Sequence, residues 1–309
     1  MQIGIVGLGR MGSNMARRLA RGGARVVAWD RDKAKCDEIA SEPRVESAEG
    51  LADFAVRLPG ERVILIMLPA GAPTQSAIDN LLPLLSNNDT LVDGGNSFYK
   101  DSMSRALELS QRGLRFVDAG VSGGIHGLAN GYCLMLGGTP KAIELFEPFA
   151  RILAPGPATG WLHCGPSGSG HFSKMIHNGI EYGMMQAFGE GFALLAGRKD
   201  FDIDLARLAE TWRHGSVVRS WLLDLTAEGL AEDEALESIA PVVADSGEGR
   251  WTAMESIEQG TPAPVITMAL MSRFSSQGKS DYSRKLLAMM RAKFGGHAIT
   301  NAAPPAGKT

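Results

Sequence analysis

The chain has 309 residues, room for about two domains, and its 31 Lys and Arg against 34 Asp and Glu leave a formal net charge of -3. That balance excludes a general electrostatic pull on nucleic acid or on an anionic membrane. Hydrophobic residues at 44% and charged residues at 21% exclude a disordered chain, and the 38 glycines fall largely in clusters, as tight turns and close ligand approach require.

The N-terminal run MQIGIVGLGRMG enters a strand pattern at once and lacks the marks of a signal peptide. No apolar run approaches the ~18 residues of a membrane span. Cys36, Cys133 and Cys164 are odd in number and form no CxxC pair, so the expected compartment is the reducing cytoplasm. Strands are predicted over residues 2–6, 25–29, 62–67, 90–93, 115–119 and 132–136, and helices over 11–21, 33–40, 73–85 and 100–111. Thr139 and Pro140 read as the cap and first turn of a helix over 142–153. Past Gly165 the pattern changes. GPSGSG reads as a loop with Ser169 as a helix cap, and 170–198 as one long helix without proline. Further helical stretches cover 204–211, 219–225, 232–237, 252–258 and 282–293, without strand alternation. The expected fold is a doubly wound Rossmann-type α/β sheet over residues 1–166, followed by an all-α domain over 167–309.

Gly7, Gly9 and Gly12 form G-x-G-x-x-G directly after a strand and opening a helix. They suit a tight turn, approach of backbone to a pyrophosphate and close helix–strand packing, with Leu8, Arg10 and Met11 in the same loop. Asp30 ends the second strand, where a ribose-binding carboxylate belongs. A carboxylate there repels a 2′-phosphate and favours NAD, while Arg31 can bind that phosphate or stack on adenine, which keeps NADP as the second candidate. Asp32 tips the balance towards NAD.

In GHFSKMIHNGIEYGMMQ, Lys174, His177, Asn178, Glu181 and Tyr182 follow i, i+3, i+4, i+7, i+8 and share one helix face. The pattern admits a catalytic face lining a cleft or a polar contact between helices. A lysine and a carboxylate one or two turns apart can serve as two acid–base groups, the lysine acting as base only where burial lowers its pKa. The loops DGGNS, with Asn96, and VSGG, with Ser122, Gly123 and Gly124, follow strands at the carboxyl edge of the sheet, where α/β folds bind ligands.

In order along the chain, GLGRMGSNMA, DGGNS, VSGG, KMIHNGIEYGMMQ and MRAKFGGH together resemble the 6-phosphogluconate dehydrogenases, the decarboxylating enzymes of the pentose phosphate pathway, in their short NAD-preferring form. The resemblance implies that Lys174 is the general base at the C3 hydroxyl and Glu181 the acid that protonates C1. It implies substrate contacts from Asn96, Ser122, Gly123, Gly124, His177, Asn178, Tyr182 and the phosphate-binding Arg273, and cofactor contacts from Leu68, Pro69, Ala70 and Asn96. Arg291 and His297 match a tail that reaches the substrate of a neighbouring subunit, which implies a homodimer or homotetramer. The implied partner is a small sugar-acid phosphate, and no metal is called for.

One segment departs from the longer members of the family. Where they carry a Lys and a Thr for the phosphate, DSGEGRWT places Ser246 and Glu248; a glutamate facing a phosphate repels it, so either Glu248 turns away or the phosphate shifts towards Arg250. The nearest rival is a 3-hydroxyisobutyrate-type β-hydroxyacid dehydrogenase, which shares the fold, the glycine motif and the lysine but needs neither Glu181 nor FGGH. A non-catalytic NAD-binding regulator is the remote alternative; it would tolerate loss of Lys174 or Glu181, both of which are present.

Overall fold

The computed structural model describes residues 1–295 and 298–300. The chain divides into two compact units, Met1–Asn178 and Gly179–Thr309. The first unit alternates strands and helices: β1 (Gln2–Val6), α1 (Arg10–Arg21), β2 (Arg25–Trp29), α2 (Lys33–Ile39), β3 (Val45–Ser47), α3 (Leu51–Val56), β4 (Val63–Ile66), α4 (Ala72–Leu81), β5 (Thr90–Asp93), α5 (Tyr99–Ser110), β6 (Arg115–Ser122), α6 (Gly127–Asn130), β7 (Cys133–Gly138), α7 (Pro140–Leu153) and β8 (Trp161–Gly165).

The eight strands form one sheet in the order β3-β2-β1-β4-β5-β6-β7-β8. All neighbours are parallel except β6 and β7, which run antiparallel. Every residue of β4 and β5 is buried, as expected of strands covered on both faces. Ile3, Ile5 and Leu65 join the core under α1 and α7, while the alternate residues Val6, Ile64 and Ile66 join a second core with Phe54 and Leu81. Strand order reverses between β1 and β4, and the crevice at the carboxyl ends of these strands is where such sheets take ligands.

Several elements differ from the sequence expectation. The helix expected to reach residue 85 stops at Leu81 and passes into a single 3-10 turn, Leu82–Leu84, because Pro83 cannot donate to the helix ladder. Strands β6 and β7 extend to pair Ser122 with Cys133 and Val117 with Gly138. The short β3 and α3 and the edge strand β8 add to the predicted elements.

The long helix is α8 (Ser169–Gly197). Ser169 does not cap it: its hydroxyl is buried without a hydrogen-bond partner. The Asp118 carboxylate of β6 takes that role, accepting from the amides of Gly168 at 2.6 Å and His171 at 2.9 Å. A buried charge serves better here, since it satisfies free N–H groups and meets the positive end of the helix dipole. Gly170 allows the close approach; a Cβ there would lie 2.5 Å from the Met135 carbonyl oxygen. These contacts tie the first turns of α8 to the sheet, so the division between units falls inside the helix.

The second unit continues α8 and adds α9 (Leu205–Trp212), α10 (Trp221–Glu232), α11 (Glu248–Gln259), α12 (Pro264–Ser276) and α13 (Asp281–Gly295). Asp204 and Ser220 cap α9 and α10. The helix expected over 232–237 is a turn instead. Leu236 adopts a φ of 52°, and the Asp233 carboxylate accepts from the Ser238 hydroxyl at 3.0 Å, a local alternative to the helix ladder. No helix among the described residues is long and apolar enough to cross a membrane.

Candidate active site

The glycine turn between β1 and α1 shows why each glycine is needed. Gly7 has a φ of 98°, and a Cβ there would sit 2.5 Å from the Met67 carbonyl oxygen. At Gly12 a Cβ would collide with the Gly7 carbonyl oxygen, so the helix can approach the turn only without a side chain. Around the Cβ position of Gly9 nothing lies within 4 Å. Two glycines therefore serve packing, and the third leaves backbone open to a ligand at the N-terminus of α1, where free N–H groups favour phosphate. These features fit a dinucleotide.

Asp30 closes the turn from the side. Its Oδ2 accepts from the Leu8 amide at 2.7 Å and its Oδ1 from the Asp32 amide at 2.9 Å, with Lys35 Nζ 3.9 Å from Oδ1. Each carboxylate oxygen retains a further lone pair for a ribose hydroxyl. Arg10 and Arg31 are exposed and Met11 is partly buried. Leu68, Pro69 and Ala70 follow β4 across the crevice, and the Pro69 carbonyl is held by the Thr74 hydroxyl at 2.9 Å.

Asn96 is exposed on the loop after β5. A buried cluster not singled out in the sequence holds this loop. Asp93 accepts from the Gly95 amide at 3.0 Å, the Ser97 hydroxyl at 2.8 Å and Arg105 Nη1 at 3.1 Å. Arg105, 5% exposed, also donates to Gln75 at 3.0 Å. A buried carboxylate so satisfied fixes the backbone on either side of Asn96.

Lys174 is 9% exposed, and its Nζ donates to Asn178 Oδ1 at 2.6 Å with His177 Nδ1 at 3.5 Å. His177 Nε2 lies 3.4 Å from the Ser122 hydroxyl, so the helix and the VSGG loop meet at this point. Gly123 and Gly124 follow with φ of 128° and 51°. Gly120, unremarked in the sequence, decides the approach. A Cβ there would strike the Lys174 stem and lie 2.8 Å from the Gly170 carbonyl oxygen. Cys133 also belongs to this neighbourhood, opposite Ser122 in the β6–β7 register. Burial pushes its thiol up, and the Lys174 ammonium opposes that shift. The sequence signal for Cys133 was available only through strand register.

Glu181 and Tyr182 follow along α8 in the second unit. Glu181 is partly buried, and Tyr182 is 5% exposed. The Tyr182 ring sits against Gly249, where a Cβ would come within 2.5 Å of it. The Arg273 guanidinium stacks over the same ring at 3.4 Å and donates to the Ala244 carbonyl at 2.9 Å. Arg291 is exposed on α13, and His297 lies outside the described residues.

Strand order and glycine turn together define a dinucleotide-binding α/β protein of the dehydrogenase type. Residues 2–160 match the NAD binding domain of 6-phosphogluconate dehydrogenase and residues 170–300 match the C-terminal domain of 6-phosphogluconate dehydrogenase. The chain is 41% identical over 300 residues to the NAD(+)-dependent, decarboxylating 6-phosphogluconate dehydrogenase of Haloferax volcanii, covering 97% of this chain and 98% of that one. It is 35% identical over 294 residues to the NADP(+)-dependent enzyme of Bacillus subtilis, covering 91% of this chain and 62% of that longer one. The chain belongs to the 6-phosphogluconate dehydrogenase family. In fold it superposes on Plasmodium falciparum 6-phosphogluconate dehydrogenase with a TM-score of 0.84 and 25% identity, over 99% of this chain and 67% of the other. A Mycobacterium tuberculosis 3-hydroxyisobutyrate dehydrogenase shares the fold at a TM-score of 0.71 and 19% identity, over 91% and 94% of the two chains.

Proposed function

We propose that the protein oxidises and decarboxylates 6-phospho-D-gluconate to D-ribulose 5-phosphate and CO2 with reduction of NAD, in the pentose phosphate pathway. The observation that carries this reading is the buried Lys174 side chain, held by Asn178 beside His177 and the Ser122 hydroxyl, with the partly buried Glu181 two turns further along the same helix. The glycine turn and Asp30 would hold NAD, which would supply the hydride acceptor for C3. Lys174, as the neutral amine, takes the C3 hydroxyl proton in that oxidation and becomes an ammonium. The ammonium polarises the new C3 carbonyl, which is β to the carboxylate. As CO2 leaves, the electrons of the broken bond delocalise onto the C3 oxygen, and Lys174 returns its proton there. Glu181 then protonates the carbon that becomes C1 of the product while Lys174, neutral again, takes back the enol hydroxyl proton, which leaves the ketone.

Asn96, Ser122, Gly123, Gly124, His177, Asn178 and Tyr182 hold substrate in this reading, and Arg273 binds its phosphate. Gly7, Leu8, Gly9, Arg10, Met11, Gly12, Asp30, Arg31, Leu68, Pro69, Ala70 and Asn96 hold the cofactor. Residues 1–166 then serve cofactor binding, and 167–309 serve substrate binding and dimerisation. The working form is a homo-oligomer in the cytoplasm, with Arg291 and His297 completing a neighbour's site. In support, the apolar side chains of Val265, Met268 and Met271 of α12 and of Leu287 and Met290 of α13 are exposed.

The test is cofactor reduction with 6-phosphogluconate, 3-hydroxyisobutyrate and gluconate, each with NAD and NADP, with CO2 release followed. Reduction of NAD with stoichiometric CO2 from 6-phosphogluconate alone is expected. Turnover of 3-hydroxyisobutyrate without CO2 would overturn the reading.

A further inference from the structure

The buried Glu248 has no evident place beside a phosphate, yet it is only 2% exposed and well bonded. It stands in the first turn of α11, where the helix N-terminus stabilises a carboxylate. The Ser246 hydroxyl donates to Glu248 Oε2 at 2.6 Å, a length typical of a bond to an ionised acceptor. A serine hydroxyl has one proton, so Ser246 can only accept from its other neighbour, the Tyr182 hydroxyl at 3.2 Å. The Ser246 amide points back at the Tyr182 oxygen from 3.5 Å. The Tyr182 hydroxyl thereby donates to Ser246 and accepts from its amide, while Gly249 packs closely against the ring and limits its rotation. On that ring lies the Arg273 guanidinium, 3.4 Å from its centroid, with the Ala244 carbonyl fixing one nitrogen. Arg250, the other cation of the segment, is occupied: it pairs with Asp245 and lies over the Phe274 ring at 4.8 Å.

We infer that Glu248 is a positioning residue that aims the Arg273 guanidinium through Ser246 and Tyr182, and that it stands in place of direct phosphate ligands from this loop. The carboxylate is turned into the unit. Its charge sets the direction of the hydrogen bonds Glu248–Ser246–Tyr182, and Tyr182 presents Arg273 as a flat fork for an oxyanion. This rests on the proposed role of Arg273 in binding the substrate phosphate.

Three variants test it: Glu248→Ala, Glu248→Gln and Ser246→Ala. Glu248→Ala frees the Ser246 proton and should raise KM for 6-phosphogluconate about tenfold, with kcat within about twofold and KM for NAD unchanged. Competitive inhibition by inorganic phosphate should weaken by the same factor. Glu248→Gln keeps an acceptor for Ser246 and should restore KM to within about threefold of the unsubstituted protein. Ser246→Ala, which removes the link between Glu248 and the Tyr182 hydroxyl, should move KM in the same direction as Glu248→Ala and serves if that variant does not fold. A fall in KM in both Glu248 variants would mean that the carboxylate merely repels phosphate, and would overturn the inference. So would an unchanged KM in Glu248→Ala, or equal losses in kcat and in both KM values. The rise in unfolding temperature caused by inorganic phosphate gives a readout independent of turnover. If the unsubstituted protein fails to oxidise 6-phosphogluconate, the functional reading falls, while a phosphate response lost in Glu248→Ala and kept in Glu248→Gln still upholds the positioning role.

Discussion

Asp30 has two tasks that a single substitution separates. It pins the Leu8 amide of the glycine turn, and it offers its remaining lone pairs at the end of β2. Asp30→Ala should weaken NAD binding by loosening the turn and narrow the NAD-over-NADP preference, since repulsion of a 2′-phosphate is lost. Steady-state kcat/KM with both cofactors measures this, and an unchanged ratio rejects the ribose assignment. Lys174 has one task in the proposed chemistry. Lys174→Met should lower kcat by at least about 10²-fold while the protein still binds NAD, as measured by fluorescence titration. Retained turnover removes lysine as the base. The side chains of the chemistry were legible in the sequence because helical spacing alone groups Lys174, His177 and Asn178. Their supports were not: Asp93, Arg105 and Asp118 act through burial and partners far away in sequence.

Element boundaries follow the same division. The predicted strands at 2–6, 25–29 and 90–93 coincide with β1, β2 and β5, because apolar runs bounded by turn residues are local signals. The three-residue β3 has no such signal, and it exists because β2 offers it an edge through Val26–Val45 pairing. The contact between β6 and α8 depends on absent side chains. Gly120→Ala would press a methyl group onto the Lys174 stem and the Gly170 carbonyl. It should cost about 1–3 kcal/mol of stability and displace the lysine, so that urea midpoint and kcat fall together. A normal kcat in a stable Gly120→Ala protein would show that the strand does not set the lysine position.

At the scale of the whole molecule, the proposed tail contribution predicts complementation between subunits. Lys174→Met and His297→Ala proteins are each expected to be poorly active. Unfolded together and refolded in equal amounts as a dimer, they should regain about a quarter of full activity, because half the dimers carry one intact site. No recovery would confine each site to one chain. The exposed apolar residues of α12 and α13 include Met268, Met271, Met289 and Met290, and methionine adapts to a partner at little cost.

The strand–helix alternation of the first unit, the glycine turn, the polar stripe of the long helix and the family follow from the sequence, since each depends on residues close in the chain or on motifs in order, whereas β3, β8 and α12 do not. Tertiary structure decided the rest. It chose Asp118 over Ser169 as the anchor of α8, turned Glu248 inward under Ser246, and laid Arg273 on Tyr182. Each of those outcomes is a competition for hydrogen-bond partners and space among residues distant in sequence, and only the packed chain brings the competitors together.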